Sequence, residues 1–493
     1  MRKIVVMFII FILINSFFIS PSQSTQLQSG QTPSVPPNII FILTDDMDKP
    51  SINSMPIVKQ QLMAQGTTFS NFFVSVPLCC PSRTSILTGQ YAHNHGVLKN
   101  SPPEGGFRTV FAKNLELSTV ATSVQSAGYK TIYLGKYLNG YPDNKPTYIP
   151  PGWNQWHALT GGVTKDGFSF NYEMNQNGQI VKYGDNPSDY LTDVLAKQAA
   201  EFIQSNQNNT PFFMYFATSS PHEPSVPAPR HANLFANARA PRKLSFNEKN
   251  VSSKPDYIRG RALLTKNQIN KLDKLYRKRL QSLQAVDEAV AKIIKTLADT
   301  GKLENTYIIF TSDNGLQFGE HRLPAGKRTP YEESIGVPFV IRGPNVAKNK
   351  VVNELSSIID IAPTIAELTG ATMTNTTDGR SLVPLLKSNS TVDSWRQTIL
   401  LEHWTSPKKE KLDNEFVVPT YQGLRNTRYL YVEYQNGERE LYDLDRDPFE
   451  LQNLYTTADA SLKNELENRL GLLRNCVGVD CQTLEDLPIV GNP

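Results

Sequence analysis

A chain of 493 residues with 39% hydrophobic and 19% charged side chains carries enough apolar material for a sizeable core. Its formal charge is +4, and Arg2 and Lys3 supply two of those charges, so the broad basic footprint of a nucleic-acid binder is missing. The same composition excludes a disordered chain and a bundle of membrane helices.

The N-terminus runs Met1-Arg2-Lys3, then an apolar stretch from Ile4 to Ile19, then Ser22-Gln23-Ser24. This order predicts a secretory signal peptide over residues 1–24, because about 16 apolar residues are short for a membrane span. The mature chain is therefore expected outside the cytosol, without stable membrane insertion: secreted, periplasmic or lysosomal according to the host. The polar, Pro-rich residues 25–37 read as a tether.

Residues 38–44 (Asn-Ile-Ile-Phe-Ile-Leu-Thr) form a continuous apolar run, as expected of a strand buried on both faces. Similar runs recur at 130–134, 212–217, 306–310 and 338–341. Between them, Leu191, Val194, Leu195, Ala199 and Phe202 share a helical face behind Ser188-Asp189, and a longer helical pattern from Leu272 to Ile293 ends near Gly301. Strands alternating with helices predict an α/β fold, a mostly parallel sheet between helical layers. Residues 221–262 are rich in Pro, Arg, Asn and Lys and read as a long excursion near the mouth of a site. The pattern changes around 388–394. Short strand-like runs follow at 398–401, 429–433 and 440–444, then a closing helix over 462–473. The expected division is a catalytic domain over 38–390 and a smaller C-terminal α+β domain, with an antiparallel sheet, over 391–493.

Two pairs of polar residues fall directly after predicted strands. Asp45 and Asp46 follow the first; Asp313 and Asn314 follow the run at 306–310. Ligands of open parallel sheets gather at the carboxyl ends of strands. Three carboxylates and an amide there predict an all-oxygen site for one hard divalent cation. Singly, each residue has a plainer reading: Asp-Asp as a turn or helix cap, Lys136 or Lys327 as a solvated charge, His222 as a loop histidine. They read as a site only when taken with the cysteine stretch and the resemblance it carries. Cys476 and Cys481 suit a local disulfide in an oxidising compartment, the alternative being a pair of free thiols. Cys79 and Cys80 are neighbours, and a bond between neighbours is strained, so they need another explanation.

That explanation comes from the stretch Cys79-Cys80-Pro81-Ser82-Arg83, which continues to Leu87-Thr88-Gly89. It resembles the signature of the formylglycine-dependent (type I) sulfatases, in which the first cysteine is oxidised to an aldehyde whose hydrate attacks sulfur. Only Cys79 has Pro and Arg at offsets two and four. The similarity continues through Gly135-Lys136-Tyr137, Pro221-His222-Glu223-Pro224, the segment from Gly326-Lys327-Arg328 to Glu333, and Leu441-Tyr442-Asp443-Leu444 with Asp447-Pro448. The resemblance implies an alkaline-phosphatase-like fold and a catalytic set of Cys79, Arg83, Lys136, His222 and Lys327. It implies a cation, calcium or else magnesium, held by Asp45, Asp46, Cys79, Asp313 and Asn314, and a formylglycine-generating enzyme as partner.

The implied roles are activation of the hydrated Cys79 by the cation, sulfate held by Arg83, Lys136 and Lys327, and protonation of the departing alcohol by His222, with collapse of the sulfated hydrate regenerating the aldehyde. Many relatives carry a histidine where this chain has Leu138; Asn139, His93 or His95 would have to serve instead. Tyr91-Ala92-His93-Asn94-His95, Gly135 to Asn139 and Asp189 to Leu195 resemble the N-acetylglucosamine-6-sulfatase branch, which implies a 6-sulfated glucosamine or related glycosaminoglycan sugar. Arg230, Arg239 and Arg242 of the excursion are the charges that speak for a polyanionic substrate. The competing readings are an arylsulfatase of broad range, a phosphonate or phosphodiester hydrolase, and a non-catalytic sugar-binding relative.

Overall fold

The computed structural model describes residue 1 and residues 35–489, apart from 163–165, 207–209, 389–391, 393 and 406–415. The expected signal peptide and most of the tether lie outside the described residues. The large sheet has ten strands: β1 (Asn38–Thr44), β2 (Thr67–Phe69), β3 (Lys130–Gly135), β4 (Gln155–Thr160), β5 (Glu173–Gln176), β6 (Gln179–Lys182), β7 (Phe212–Ala217), β8 (Thr306–Ser312), β9 (Phe339–Arg342) and β10 (Lys350–Val352). Their spatial order is β10-β2-β9-β8-β1-β7-β3-β4-β5-β6.

The centre, β8-β1-β7-β3-β4, is parallel throughout. Antiparallel pairings of β9 on one flank and of β5 and β6 on the other make the whole sheet mixed. Period-two alternation explains why β1 is apolar at successive positions. Ile39, Phe41 and Leu43 enter one core cluster, Ile40 and Ile42 enter another, and all five are fully buried.

The cluster around Ile40 and Ile42 is filled by α2 (Leu191–Ser205) and α3 (Lys266–Asp299). Thr265 caps α3 through the Gln268 N–H, and the helix starts at Lys266, six residues before Leu272, where its apolar face begins in the sequence. Ser188-Asp189 does not cap α2; these residues lie in a short 3-10 turn before Tyr190. The opposite cluster takes in α1 (Cys79–Thr88) and α4 (Ile361–Thr369).

Four antiparallel strands form a separate meander: β11 (Ile399–His403), β12 (Tyr421–Arg425), β13 (Tyr429–Tyr434) and β14 (Arg439–Asp443). Helices α5 (Ala460–Leu473) and α6 (Val479–Asp486) follow, and Cys476, between them, is disulfide-bonded to Cys481 on α6. Residues from Pro36 onward form one compact unit. The small sheet shares the core of the α1 layer, and Glu402 N–H donates to the Ser75 carbonyl at 2.8 Å.

Candidate active site

The carboxyl ends of β8, β1, β7 and β3 lie side by side, and each releases its chain into one region. β1 delivers Asp45 and Asp46, β8 delivers Asp313 and Asn314, β3 delivers Lys136, and the loop after β7 delivers His222. Gly135 ends β3 with φ +102, and a β-carbon there would lie 2.0 Å from the Ala217 carbonyl. Only glycine lets β3 press against β7 and still turn Lys136 inward.

Helix α1 brings the remaining groups. Its ten residues are all buried and it starts at Cys79 after Leu78, with no side-chain cap. The Cys80 N–H donates to Asn100 Oδ1 at 2.9 Å, and the partial positive charge of the helix start falls at Cys79. Four residues on, Arg83 donates from Nε to Asp313 Oδ2 at 2.8 Å and from Nη1 to the Lys136 carbonyl at 2.6 Å. The helix closes at Gly89, whose left-handed conformation returns its N–H to the Ser85 carbonyl.

The Cys79 sulfur is the focus. Lys327 Nζ lies 2.9 Å from it and Lys136 Nζ 3.8 Å. Asp45 Oδ1 is at 3.6 Å and Asp46 Oδ1 at 3.8 Å. Lys136 also pairs with Asp45 and Lys327 with Asp46. His222 donates from Nδ1 to the Glu223 carbonyl at 2.7 Å, which turns Nε2 to within 3.7 Å of Asp46 Oδ2. The residues expected from sequence as the catalytic set and the cation ligands therefore gather in this cluster. Asp45, Asp46, Cys79 and His222 have ligand atoms all within 4.8 Å of one another.

Burial and charge oppose each other here. Burial alone would raise the Asp45 and Asp46 carboxyls. The facing cations, led by Lys136 at Asp45 and by Lys327 at Asp46, instead hold Asp45 well below the usual carboxylate range and Asp46 at about 2. Burial would lower Lys136 and Lys327, and the same carboxylates keep both raised and charged. The Cys79 thiol is pushed well above its ordinary range by burial, against the pull of the two lysines. A buried neutral thiol is a poor nucleophile, so the unmodified side chain is ill suited to attack.

The donor set suits a hard cation. Asp45, Asp46 and Asp313 are all buried, and Asn314 Oδ1 is buried without a hydrogen-bond partner while its Nδ2 donates to Asp46 Oδ1 at 2.7 Å. An amide oxygen left open among carboxylates is what an oxygen-liganded divalent ion uses. Asp313 is turned to Arg83 and to the Asp46 N–H, the latter at 3.0 Å.

Arg279 of α3 is a residue the sequence reading missed. It is fully buried, donates to the Pro221 carbonyl at 2.9 Å and to the Asp46 carbonyl, and so fixes both loops. Asp46 adopts φ +65, a conformation unusual outside glycine, at the point where Arg279 and Asp313 grip its peptide groups. In sequence Arg279 sits in a run of lysines and arginines that reads as a solvated face.

A cleft of about 670 Å³ opens onto Lys136, His222 and Lys327, and Phe107, Tyr137, Leu138, Asn139, Tyr141 and Phe168 also line it. Of the three residues weighed against Leu138, only Asn139 lines this cleft, and its Oδ1 is buried without a partner. His93 is held by Glu402 and the Cys476 carbonyl, each at 2.9 Å, and His95 by Ser85 at 3.1 Å. Arg230 and Arg242 do not line the cleft either. Arg230 is clasped by Asp193 and Glu288, and Arg242 by Asp273.

Known proteins resemble this chain along most of its length. Residues 37–371 match the Sulfatase family model, and residues 319–475 match the model described as N-sulphoglucosamine sulphohydrolase, C-terminal. Human N-acetylglucosamine-6-sulfatase is 36% identical over 91% of this chain and 86% of its own length. Arylsulfatase of Chlamydomonas reinhardtii is 32% identical over 90% of this chain and 75% of its own. A solved protein in complex with its substrate D-glucosamine-2-N,6-O-disulfate superposes with a TM-score of 0.73 at 25% identity, covering 88% of this chain and 97% of that one.

Proposed function

The chain belongs to the sulfatase family, and from that premise we propose that it hydrolyses sulfate monoesters of 6-sulfated glucosamine sugars, with Cys79 converted to formylglycine and one divalent cation, Ca2+ by preference, at Asp45, Asp46, Asp313 and Asn314. The observation that carries this reading is the convergence of Lys327, Lys136 and a helix start on one buried side chain, Cys79. The hydrated aldehyde would supply an oxygen nucleophile, and the cation would favour its ionised form.

The remaining work falls to side chains already in place. Negative charge spreads over the nonbridging oxygens of a sulfuryl group in flight, and Lys136 and Lys327 stand beside the attacking atom to offset it. Arg83 acts through Asp313 and the Lys136 carbonyl, keeping the carboxylate and the lysine in register. His222 presents Nε2 because Nδ1 is committed to a carbonyl, and so can pass a proton to the departing sugar oxygen. Leu138 holds the position where many relatives of this family carry a histidine, and Asn139, its neighbour on the cleft wall, is the polar group at hand to take over that role.

Sugar specificity is supported by the human relative and by the glucosamine disulfate complex. The aromatic lining of the cleft and the algal arylsulfatase favour aryl sulfates as further substrates. Export is supported by relatives named extracellular sulfatases from Caenorhabditis elegans and Drosophila melanogaster. Among the described residues no helix is long and apolar enough to cross a membrane. A formylglycine-generating enzyme is the partner this reading needs.

The test pairs two measurements on protein from its native source. Mass spectrometry of the Cys79 peptide should find the lighter aldehyde form, and turnover of N-acetylglucosamine-6-sulfate should exceed that of the matching phosphate ester. Faster phosphate turnover favours a phosphohydrolase. An intact thiol without turnover favours a sugar-binding protein.

A further inference from the structure

The cleft that reaches Lys136, His222 and Lys327 carries a second charged feature with no part in the chemistry above. Arg108, on the helix Gly106–Ala112, and Asp143 both stand on its wall. Arg108 donates from Nε to Asp143 Oδ2 at 3.2 Å and from Nη2 to Oδ1 at 2.8 Å. The Arg108 side chain is 63% exposed, and Nη1 has no acceptor among the described residues. An exposed ion pair of this kind adds little to stability, so the fold gives no strong reason for it.

Its geometry suits recognition instead. A guanidinium held by one carboxylate keeps its plane fixed and leaves one edge open, which preorganises a fork for an incoming anion. Arg108 and the two lysines line one and the same cleft. We propose that Arg108 is a second anion subsite: it receives a second sulfate or a carboxylate of the same sugar chain while the scissile sulfate lies at Lys136 and Lys327. Asp143 is the built-in counter-ion, which orients the fork and competes for it. The assignment rests on the sulfatase reading above and narrows its substrate class to sugars with at least two anionic groups.

The experiment compares wild type, Arg108→Ala and Asp143→Asn on three sugars. These are N-acetylglucosamine-6-sulfate, with one anion; glucosamine-2-N,6-O-disulfate, with a second on the same ring; and a uronate-linked disaccharide bearing a single 6-sulfate. Arg108→Ala should raise KM for a dianionic sugar about ten-fold more than for the monoanionic one, with kcat little moved. Asp143→Asn should lower that same KM by releasing the fork. The dianionic sugar that responds identifies whether the second group is a sulfate or a carboxylate. Equal changes on all three sugars, or an Asp143→Asn protein that weakens the dianionic sugars as Arg108→Ala does, would overturn the assignment. Calorimetric binding of the same sugars to the Cys79→Ala protein separates this from the parent reading. Absent turnover in wild type refutes the sulfatase reading alone, and a binding preference indifferent to Arg108 refutes the subsite alone.

Discussion

Lys327 Nζ lies 2.9 Å from Cys79 Sγ and at the same time pairs with Asp46, so one ammonium touches both the residue proposed for modification and a carboxylate of the proposed cation site. The same duality holds for Lys136 with Cys79 and Asp45. Each lysine is thus fixed by a carboxylate before any substrate arrives. Such preorganised cations are worth most where charge develops during reaction.

Lys327→Met should therefore lower kcat on a sulfate ester by roughly 10²- to 10³-fold, the cost of one preorganised donor. Lys136→Met should lose a comparable factor. Steady-state kinetics measure the loss, and circular dichroism with a melting curve should return a folded protein in both cases. A variant with near-normal kcat would remove that lysine from the mechanism.

Chelation addresses the oxygen site. Dialysis against EDTA should abolish turnover and lower the melting temperature, because Asp45, Asp46 and Asp313 are then left close together in a buried space. Added Ca2+ should restore both. Asn314→Ala should weaken Ca2+ affinity by at least roughly ten-fold in a calorimetric titration, since it removes the unpartnered amide oxygen.

Arg279 offers a test of support rather than chemistry. Arg279→Met strips the Pro221 and Asp46 carbonyls of their donor and leaves Asp48 without the guanidinium 3.5 Å away. The loss should be about 3 kcal/mol in urea denaturation. Arg279→Lys should not recover it, because a single ammonium cannot reach along two loops as a planar fork does.

The parallel centre and the strand-end aspartates were legible because they obey local rules: continuous apolar runs, then carboxylates at the point of exit. The flank of β4, β5 and β6 was not anticipated. Glu173–Gln176 and Gln179–Lys182 are short and polar, although Asn177-Gly178 between them is a strong hairpin turn signal, with φ +51 and +89. The roles weighed for His93 and His95 could not be settled from sequence, because their partners Glu402, Cys476 and Ser85 are fixed only by tertiary packing. Arg230 and Arg242 were misjudged for the same reason, their carboxylate partners lying on helices distant in the chain.

His93 gives a pH-dependent prediction. Burial would lower its pKa, but the Glu402 carboxylate and the Cys476 carbonyl raise it from 6.5 to about 9. The folded chain therefore binds this proton more tightly than the unfolded one. The stabilisation is fully present below about pH 6.5 and is lost as pH rises through about 9. Its ceiling is about 3 kcal/mol. Urea midpoints of wild type and His93→Gln should differ most near pH 6 and converge by about pH 10. A gap that stays constant would assign the ring a packing role only.

The burial of α1 sets an order of events in time. Cys79 is 1% exposed and sits on a helix whose every residue is enclosed. A modifying enzyme needs the peptide extended and in reach, and the finished fold offers neither. On the proposed reading, conversion would then have to win a race against folding, during synthesis or before the nascent chain has packed. A molecule that lost the race would be sealed with its sulfur intact, well folded and permanently idle, so specific activity would become a record of how the protein was made as much as of what it is.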